Sequence, residues 1–387
     1  MMPRMVIPAA RPPVMRDRTP SAAVPGRLES LDALRGFDMF WIIGGGQVIR
    51  ALIRGTSNPW LAALDRQFTH FEWEGFHFYD LIMPLFLFMI GVSMPYSFAK
   101  RLQSGDGRDK IFRHVVFRVC VLCFLGMLIN GKLLTFDPGQ FQLTYSVLHV
   151  LAMGYLVAAI LLLTLKPPAQ AFAVTAMMLA YWIVQTYVPA PGHAPGTYAP
   201  GSTFGDWFNE RLLGDWQGEW RRPWIVSMST YGTTAMLGAF AGQLLRSERP
   251  SRHKTGWLIV GGIACLAAGW VWSFQVPIIK KTWTTTYVLV AAGWSYLLLA
   301  AFFQIIDVWQ IRRPAFPFKV IGMNAIAAYV AWSLFSPAFR DAARVLIGGL
   351  KPHLGTTLYP ALEIASASAL LWLILYWMFR KQSFVKI

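Results

Sequence analysis

The chain has 387 residues and a formal net charge of +16; 55% of its residues are apolar and 14% are charged. Its mean hydropathy is +0.44, and a soluble domain of this size needs more polar surface than that composition supplies. The positive charge is spread loop by loop rather than gathered into one basic face, so a nucleic-acid footprint is excluded along with a soluble core.

Residues 1–27 carry Arg and Pro without the apolar stretch of a cleaved signal peptide. They read as a disordered, basic cytoplasmic tail, and 28–387 as one transmembrane domain. Ten apolar runs follow, near 32–54, 77–99, 111–131, 143–165, 170–188, 224–245, 256–277, 284–306, 318–337 and 359–379. A helix of about 20 residues crosses roughly 30 Å of hydrocarbon, whereas barrel strands of about ten alternating residues do not occur here. The expected fold is all-α, a polytopic helical bundle of about ten spans.

Lys and Arg concentrate in alternate loops, as in Lys100, Arg101, Arg108 and Lys110 and again in Arg246, Arg249, Arg252 and Lys254. By the positive-inside rule both termini then face the cytoplasm. Within this frame, ionisable groups at the mouths of spans cost about 2.5–3.5 kcal/mol each and need a reason. Asp32 and Arg35 stand one helical turn apart at the start of the first span. They read either as a self-neutralising pair or as a site for an anionic cofactor, the pair being the plainer reading. Gly44, Gly45 and Gly46 lack the strand–helix setting of a phosphate loop and imply close packing or a local break.

The first outer loop, about 55–76, is the densest polar insert. His70 lies ten residues before Asp80; an imidazole suits proton transfer near neutral pH, and a carboxylate can hold its tautomer. An exposed loop histidine is the commoner outcome for an isolated His, and His77 is a rival. The neighbouring Phe71, Trp73, Phe76 and Tyr79 fit an aromatic pocket wall or an interfacial aromatic belt. Glu74 adds a carboxylate to the same stretch. Further on, Cys120 and Cys123 lie on an apolar span and read as packing residues rather than redox or zinc ligands. Asn130 and His149 are polar groups at depth, suited to helix–helix hydrogen bonds or pocket lining. The longest outer loop, about 189–223, is Pro/Gly-rich at first and then amphipathic from Asp206 to Trp216; a loop that long suggests a lid or wall. Lys280 and Lys281 sit on the outer side, where topology disfavours Lys. The stretch 338–358 alternates apolar residues with Arg340, Asp341, Arg344 and Lys351, as an interfacial segment would. No zinc signature, P-loop, nucleophile elbow or Rossmann fingerprint is present.

Taken in order, these residues resemble the heparan-α-glucosaminide N-acetyltransferase family and its bacterial relatives. The likeness rests on Leu31-Asp32-Ala33-Leu34-Arg35-Gly36, on the H-x-x-W-x-G-x-x-x-x-D spacing of His70, Trp73, Gly75 and Asp80, and on Pro84 and Gly91. It continues through Asn130, Val147–Leu151, Arg211–Asp215, Lys280-x-x-Trp283, Asp307, Gly322-Met323-Asn324 and the closing Arg380–Ile387. The resemblance implies a membrane acetyltransferase that takes acetyl from cytoplasmic acetyl-CoA and delivers it to the amine of a glucosamine-type sugar across the membrane. His70 matches the family's active-site histidine, as general base or acetyl carrier, with Asp80 orienting it. Asp32 and Arg35 are expected at the acetyl-CoA on their own chemistry, Arg suiting bidentate phosphate contacts, together with Asn130 and Asn324; Trp73, Glu74, His149, Lys280 and Trp283 are expected at the sugar, and no metal is expected.

The chain departs from the animal enzymes in three places. Gly46 stands where they carry an Asn, His149-Val150 where they carry Gln-Arg, and Pro223-Trp224-Ile225 near their Pro-Glu-Gly. Their large luminal N-terminal domain has no counterpart in this sequence. These departures bear on the acceptor more than on the transfer, and they point to a bacterial inner membrane with a periplasmic amino sugar. Two other functions fit the same composition: an amino-sugar permease, and an O-acetyltransferase of a cell-envelope polysaccharide. A two-fold homodimer is the default for homo-oligomers.

Overall fold

The computed structural model describes residues 28–54, 58–137, 139–143, 146–217 and 222–385. The basic tail at 1–27 lies outside the described residues. The first apolar run forms α1 (Glu29–Phe40) and α2 (Gly46–Ile53), joined by a π turn at Trp41–Gly45. The glycine triplet is therefore a break and a close contact together. Gly44 has φ +129°, and a Cβ there would come within 2.3 Å of Ser368 Oγ. A short α3 (Pro59–Gln67) follows, begun by Asn58, whose side chain accepts from Trp60 N at 2.9 Å, and by Pro59 at the first helical position.

The helix α4 (Phe78–Gln103) is apolar on all sides, and it is accordingly buried on all sides. Leu87, Phe88 and Met89 are fully enclosed at its middle. After it come α5 (Arg108–Asn130), α6 (Val147–Thr164), α7 (Pro167–Tyr187), α8 (Phe204–Leu213), α9 (Met228–Arg246) and α10 (Ser251–Ser273), of which α9 and α6 pack most closely on α4. The chain closes with α11 (Thr285–Phe302), which runs on through a π turn, α12 (Phe316–Gly322), α13 (Ala325–Ile347) and α14 (Lys351–Arg380). Among the described residues there is no strand, only an isolated antiparallel bridge between Glu74 and Ile279.

Two helix contacts depend on missing side chains. A Cβ at Gly91 of α4 would fall 1.8 Å from Ala235 O of α9, and one at Gly238 of α9 would fall 2.0 Å from Phe88 O. Backbones therefore touch across α4 and α9, as small residues permit inside a membrane. Similarly, Gly36 meets Phe318 O and Gly322 meets Asp32 O, which locks α12 antiparallel against the first half of α1.

Among the described residues, seven segments are long and apolar enough to cross a membrane, the last of them, 325–380, comprising both α13 and α14. The molecule is thus an all-helical, multi-pass membrane protein. The expected count of about ten spans is not reached by this measure because the first run is interrupted at its π turn and α9 spends its positions on buried Thr and Gly. The stretch 338–358 is helical on both sides of a short turn: α13 extends to Ile347 and α14 starts at Lys351, with a break at Gly355, φ +65°. One expectation needs correction. Cys120 is exposed on the outward side of α5 and packs against nothing interior, while Cys123 is half-buried.

Candidate functional site

Asp80 sits in the first turn of α4 with its side chain 1% exposed, and its oxygens are divided between two tasks. Oδ2 accepts from the backbone N–H groups of Phe71 (3.2 Å) and His77 (3.1 Å), which fold the preceding loop back over the helix end. Oδ1 lies 2.8 Å from His70 Nδ1 and accepts from Lys280 Nζ at 3.2 Å. An approach of 2.8 Å between a ring nitrogen and a carboxylate oxygen needs a proton between them, which places one on Nδ1 and leaves Nε2 as the ring nitrogen that Asp80 does not engage. The rival His77 is occupied differently: its Nδ1 bonds Thr69 O at 3.0 Å and its ring lies on Phe71 at 4.1 Å.

Lys280 is delivered by the turn before α11, and hydrogen bonds pin that turn from several directions. Thr284 Oγ1 and Thr286 Oγ1 each donate to Pro277 O at 3.0 Å, and Ser227 Oγ donates to Thr282 O at 2.9 Å. Tyr181 OH donates to the same carbonyl. Gly75 N donates to Ile278 O at 2.8 Å, which ties the turn directly to the His70 loop. Trp283 takes φ +56°, an uncommon conformation for so bulky a residue, held by full burial and by its indole N–H on Thr234 Oγ1 at 3.1 Å. Burial lowers the Lys280 ammonium to about 8, against the opposing attraction of Asp80.

His70, Asp80 and Lys280 thus form one cluster, and His70 and Lys280 stand in the wall of a cavity of about 740 Å³. That is the size of a small-molecule pocket. The cavity passes Asn130, Lys132, Gln142 and Ser146 at the facing ends of α5 and α6. It then runs along Ile82, Met83 and Phe86 of α4 to Met39 of α1, to Ile42 in the π turn, and to Ile326 and Tyr329 in the first turns of α13. One end is polar and cationic, with Lys132, Arg222, Lys280 and Lys281 beside Glu72; the other is apolar.

Of the expected site residues, His70, Lys280 and Asn130 share this cavity, with Asp80 directly behind the first two. The others stand elsewhere, for evident reasons. Trp283 is buried behind Lys280, edge-on to Tyr231 and Tyr287, and shapes the turn rather than the wall. Trp73 donates its indole N–H to Tyr198 O at 2.7 Å under the Lys281 ammonium, and so anchors the long outer loop to the site. Glu74 lends its backbone to the bridge with Ile279. His149 is one layer back, its Nδ1 2.6 Å from the Oγ of Ser146, which does line the cavity.

Asp32, 2% exposed, lies 3.5 Å from Arg35 at the opposite end of α1, away from the cavity wall. Asn324 uses both ends of its amide on the C-terminal segment, donating to Ser383 O at 3.2 Å and accepting from Val385 N at 3.0 Å. Sequence reasoning missed Lys132, Gln142, Ser146, Arg222 and Tyr329. Gln142 and Ser146 carried a weak signal, being polar residues in the same outer connection as Asn130; Tyr329 carried none.

An all-helical membrane protein with a histidine–carboxylate–lysine cluster at the mouth of an internal cavity is the class that this fold and site define. Residues 27–208 match the family model described as heparan-alpha-glucosaminide N-acetyltransferase, catalytic. The chain is 25% identical, over 95% of its length, to the human heparan-alpha-glucosaminide N-acetyltransferase, and 23% identical, over 98%, to the mouse protein of that name. The resemblance read from the motifs therefore holds: the chain is similar to these N-acetyltransferases along nearly its whole length, and its residues 27–208 to their catalytic family model. It spans 61% and 64% of the length of those two relatives.

Proposed function

We propose that the protein is a membrane N-acetyltransferase that moves an acetyl group from cytoplasmic acetyl-CoA to the amine of a glucosamine-type sugar at the outer face of a bacterial inner membrane. The observation that carries this reading is the cavity itself. It carries His70 and Lys280 in its wall and extends along Ile82, Met83 and Phe86 of α4 to Met39, Ile42, Ile326 and Tyr329. A thioester arm entering along the apolar end meets a basic imidazole nitrogen at the polar end.

His70 Nε2 is the reacting atom. As general base it takes a proton from the neutral sugar amine as the amine nitrogen attacks the thioester carbonyl; the C–S bond then breaks and the same proton passes from the imidazole to the sulfur, so that CoA leaves as the thiol. As acetyl carrier the same nitrogen attacks the carbonyl first, releases CoA, and passes the acetyl group to the amine in a second step. Asp80 serves either course by holding Nδ1–H, so that Nε2 faces the cavity. Asn130, Gln142 and Ser146 supply neutral polar contacts to the bound substrates, and the aromatic Tyr79 forms part of the wall.

The test is release of free CoA by purified protein given acetyl-CoA and glucosamine. His70→Ala is expected to abolish that release, a loss of at least about 100-fold for a removed acid–base group, while the variant keeps its membrane expression and melting behaviour. Equal turnover by the variant would remove His70 from the chemistry. Mass spectrometry of wild type quenched with acetyl-CoA alone separates the two courses, since only the carrier route leaves acetyl on the protein.

A further inference from the structure

Asp80 Oδ1 receives two donors, His70 Nδ1 at 2.8 Å and Lys280 Nζ at 3.2 Å, and those donors lie 3.1 Å from each other. Oδ2 is already filled by two backbone amides. The carboxylate has no room to rearrange, and its charge is answered by the ammonium. If His70 also took up a proton, two cations would share one carboxylate at contact distance. Coulomb repulsion at that range opposes it, with Lys280 18% exposed and solvent reaching the pair from the side of His70, which is 54% exposed.

We propose that Lys280 is a positioning residue that keeps the His70 imidazole neutral, protonated at Nδ1 and open at Nε2, by occupying the one cationic place beside Asp80. This deepens the acetyltransfer reading, and it rests on that reading only for its purpose. A bare Asp–His pair would favour the imidazolium, which has no lone pair for either catalytic course. Charging Lys280 instead reserves the lone pair at the pH where the amine must be deprotonated.

Other charged groups face His70 as well. Tyr79 of α4 has its ring 5.0 Å from that of His70, Glu72, Lys132, Arg222 and Lys281 line the same cavity, and His77 of the same loop is held on Thr69 O. Lys280 is singled out by contact with both members of the pair. The turn that carries it is fixed by the threonine and serine bonds described above, so its charge stays in place.

The experiment reads His70 alone and needs no acetyl-CoA. Diethylpyrocarbonate modification of the peptide containing His70 is followed by mass spectrometry as a function of pH, in wild type, Lys280→Met, Lys280→Gln and Lys280→Arg. The midpoint of reactivity is expected to rise by about one pH unit in the two neutral variants, a cost of one unit being the scale of a single close charge, and to stay at the wild-type position in Lys280→Arg. An unmoved midpoint in the neutral variants would overturn the proposal. Where those variants do not fold, nitrogen NMR of histidine-labelled wild type at neutral pH decides it: Nδ1–H with bare Nε2 supports the proposal, and Nε2–H sinks it. The acid limb of CoA release should move with the modification midpoint. A shifted midpoint in a protein that never releases CoA keeps this proposal and discards the acetyltransfer reading; normal turnover with no shift does the reverse.

Discussion

His70, Asp80 and Lys280 come from two segments about 200 residues apart in the chain, and their chemistry depends on which of them holds the positive charge. The buried Lys280 also ties stability to pH. Its value in the folded protein is about 8, below the ordinary 10.5, so between those values the unfolded chain binds more protons than the folded one. Stability therefore rises with pH across that window, and the cost of burying the ammonium is fully present below about 8. The melting temperature of wild type in detergent, taken relative to Lys280→Met at each pH, should climb from pH 8 to pH 10. A flat difference would show that the ammonium is not held down by burial.

At the scale of helices, the bundle is organised by glycines that let backbones meet. Gly91 presses α4 on α9, where a Cβ would lie 1.8 Å from a backbone oxygen that cannot turn aside. Gly91→Ala is expected to cost about 1–3 kcal/mol, the usual range for overpacking, read as a lower melting temperature and reduced recovery in detergent. Gly256 of α10 has nothing within 4 Å of its Cβ position. Gly256→Ala should accordingly be neutral, or stabilising by about 0.4–1 kcal/mol through reduced freedom of the unfolded chain. Equal effects at the two positions would mean that helix propensity, and not interhelical contact, governs both. The break at Gly44 belongs to the same scale, because it lets Ser368 of α14 donate to Ile43 O at 2.6 Å and seals the first run against the last.

For the molecule as a whole, the function needs two faces with one passage between them. The loop after α4 and the long loop before α8 should then lie on opposite sides of the bilayer. In a cysteine-free background, a membrane-impermeant maleimide applied to intact cells is expected to label His193→Cys and to spare Ser104→Cys. Labelling in the opposite sense would invert the protein and place the His70 cluster in the cytoplasm. Labelling of both would contradict a bilayer-spanning arrangement of α4 to α7.

The apolar runs declared a helical membrane protein before any coordinate, since lipid leaves a chain of this hydropathy few other ways to satisfy its backbone. The local spacing from His70 to Asp80 was also legible, because ten residues of loop and one helical turn are enough to bring them together. Trp283 and Asn324 show where that legibility stops. Both fall in motifs, yet one shapes the turn behind Lys280 and the other clasps the C-terminal segment, and a motif does not say which way a side chain points. Lys280 was conspicuous as a lysine on the wrong side of a membrane, but its partners were not. Only the folded bundle, with α4 and α11 packed together and the Pro277–Thr284 turn pinned over them, decides that its charge lands between His70 and Asp80, because that contact is made across the bundle and not along the chain.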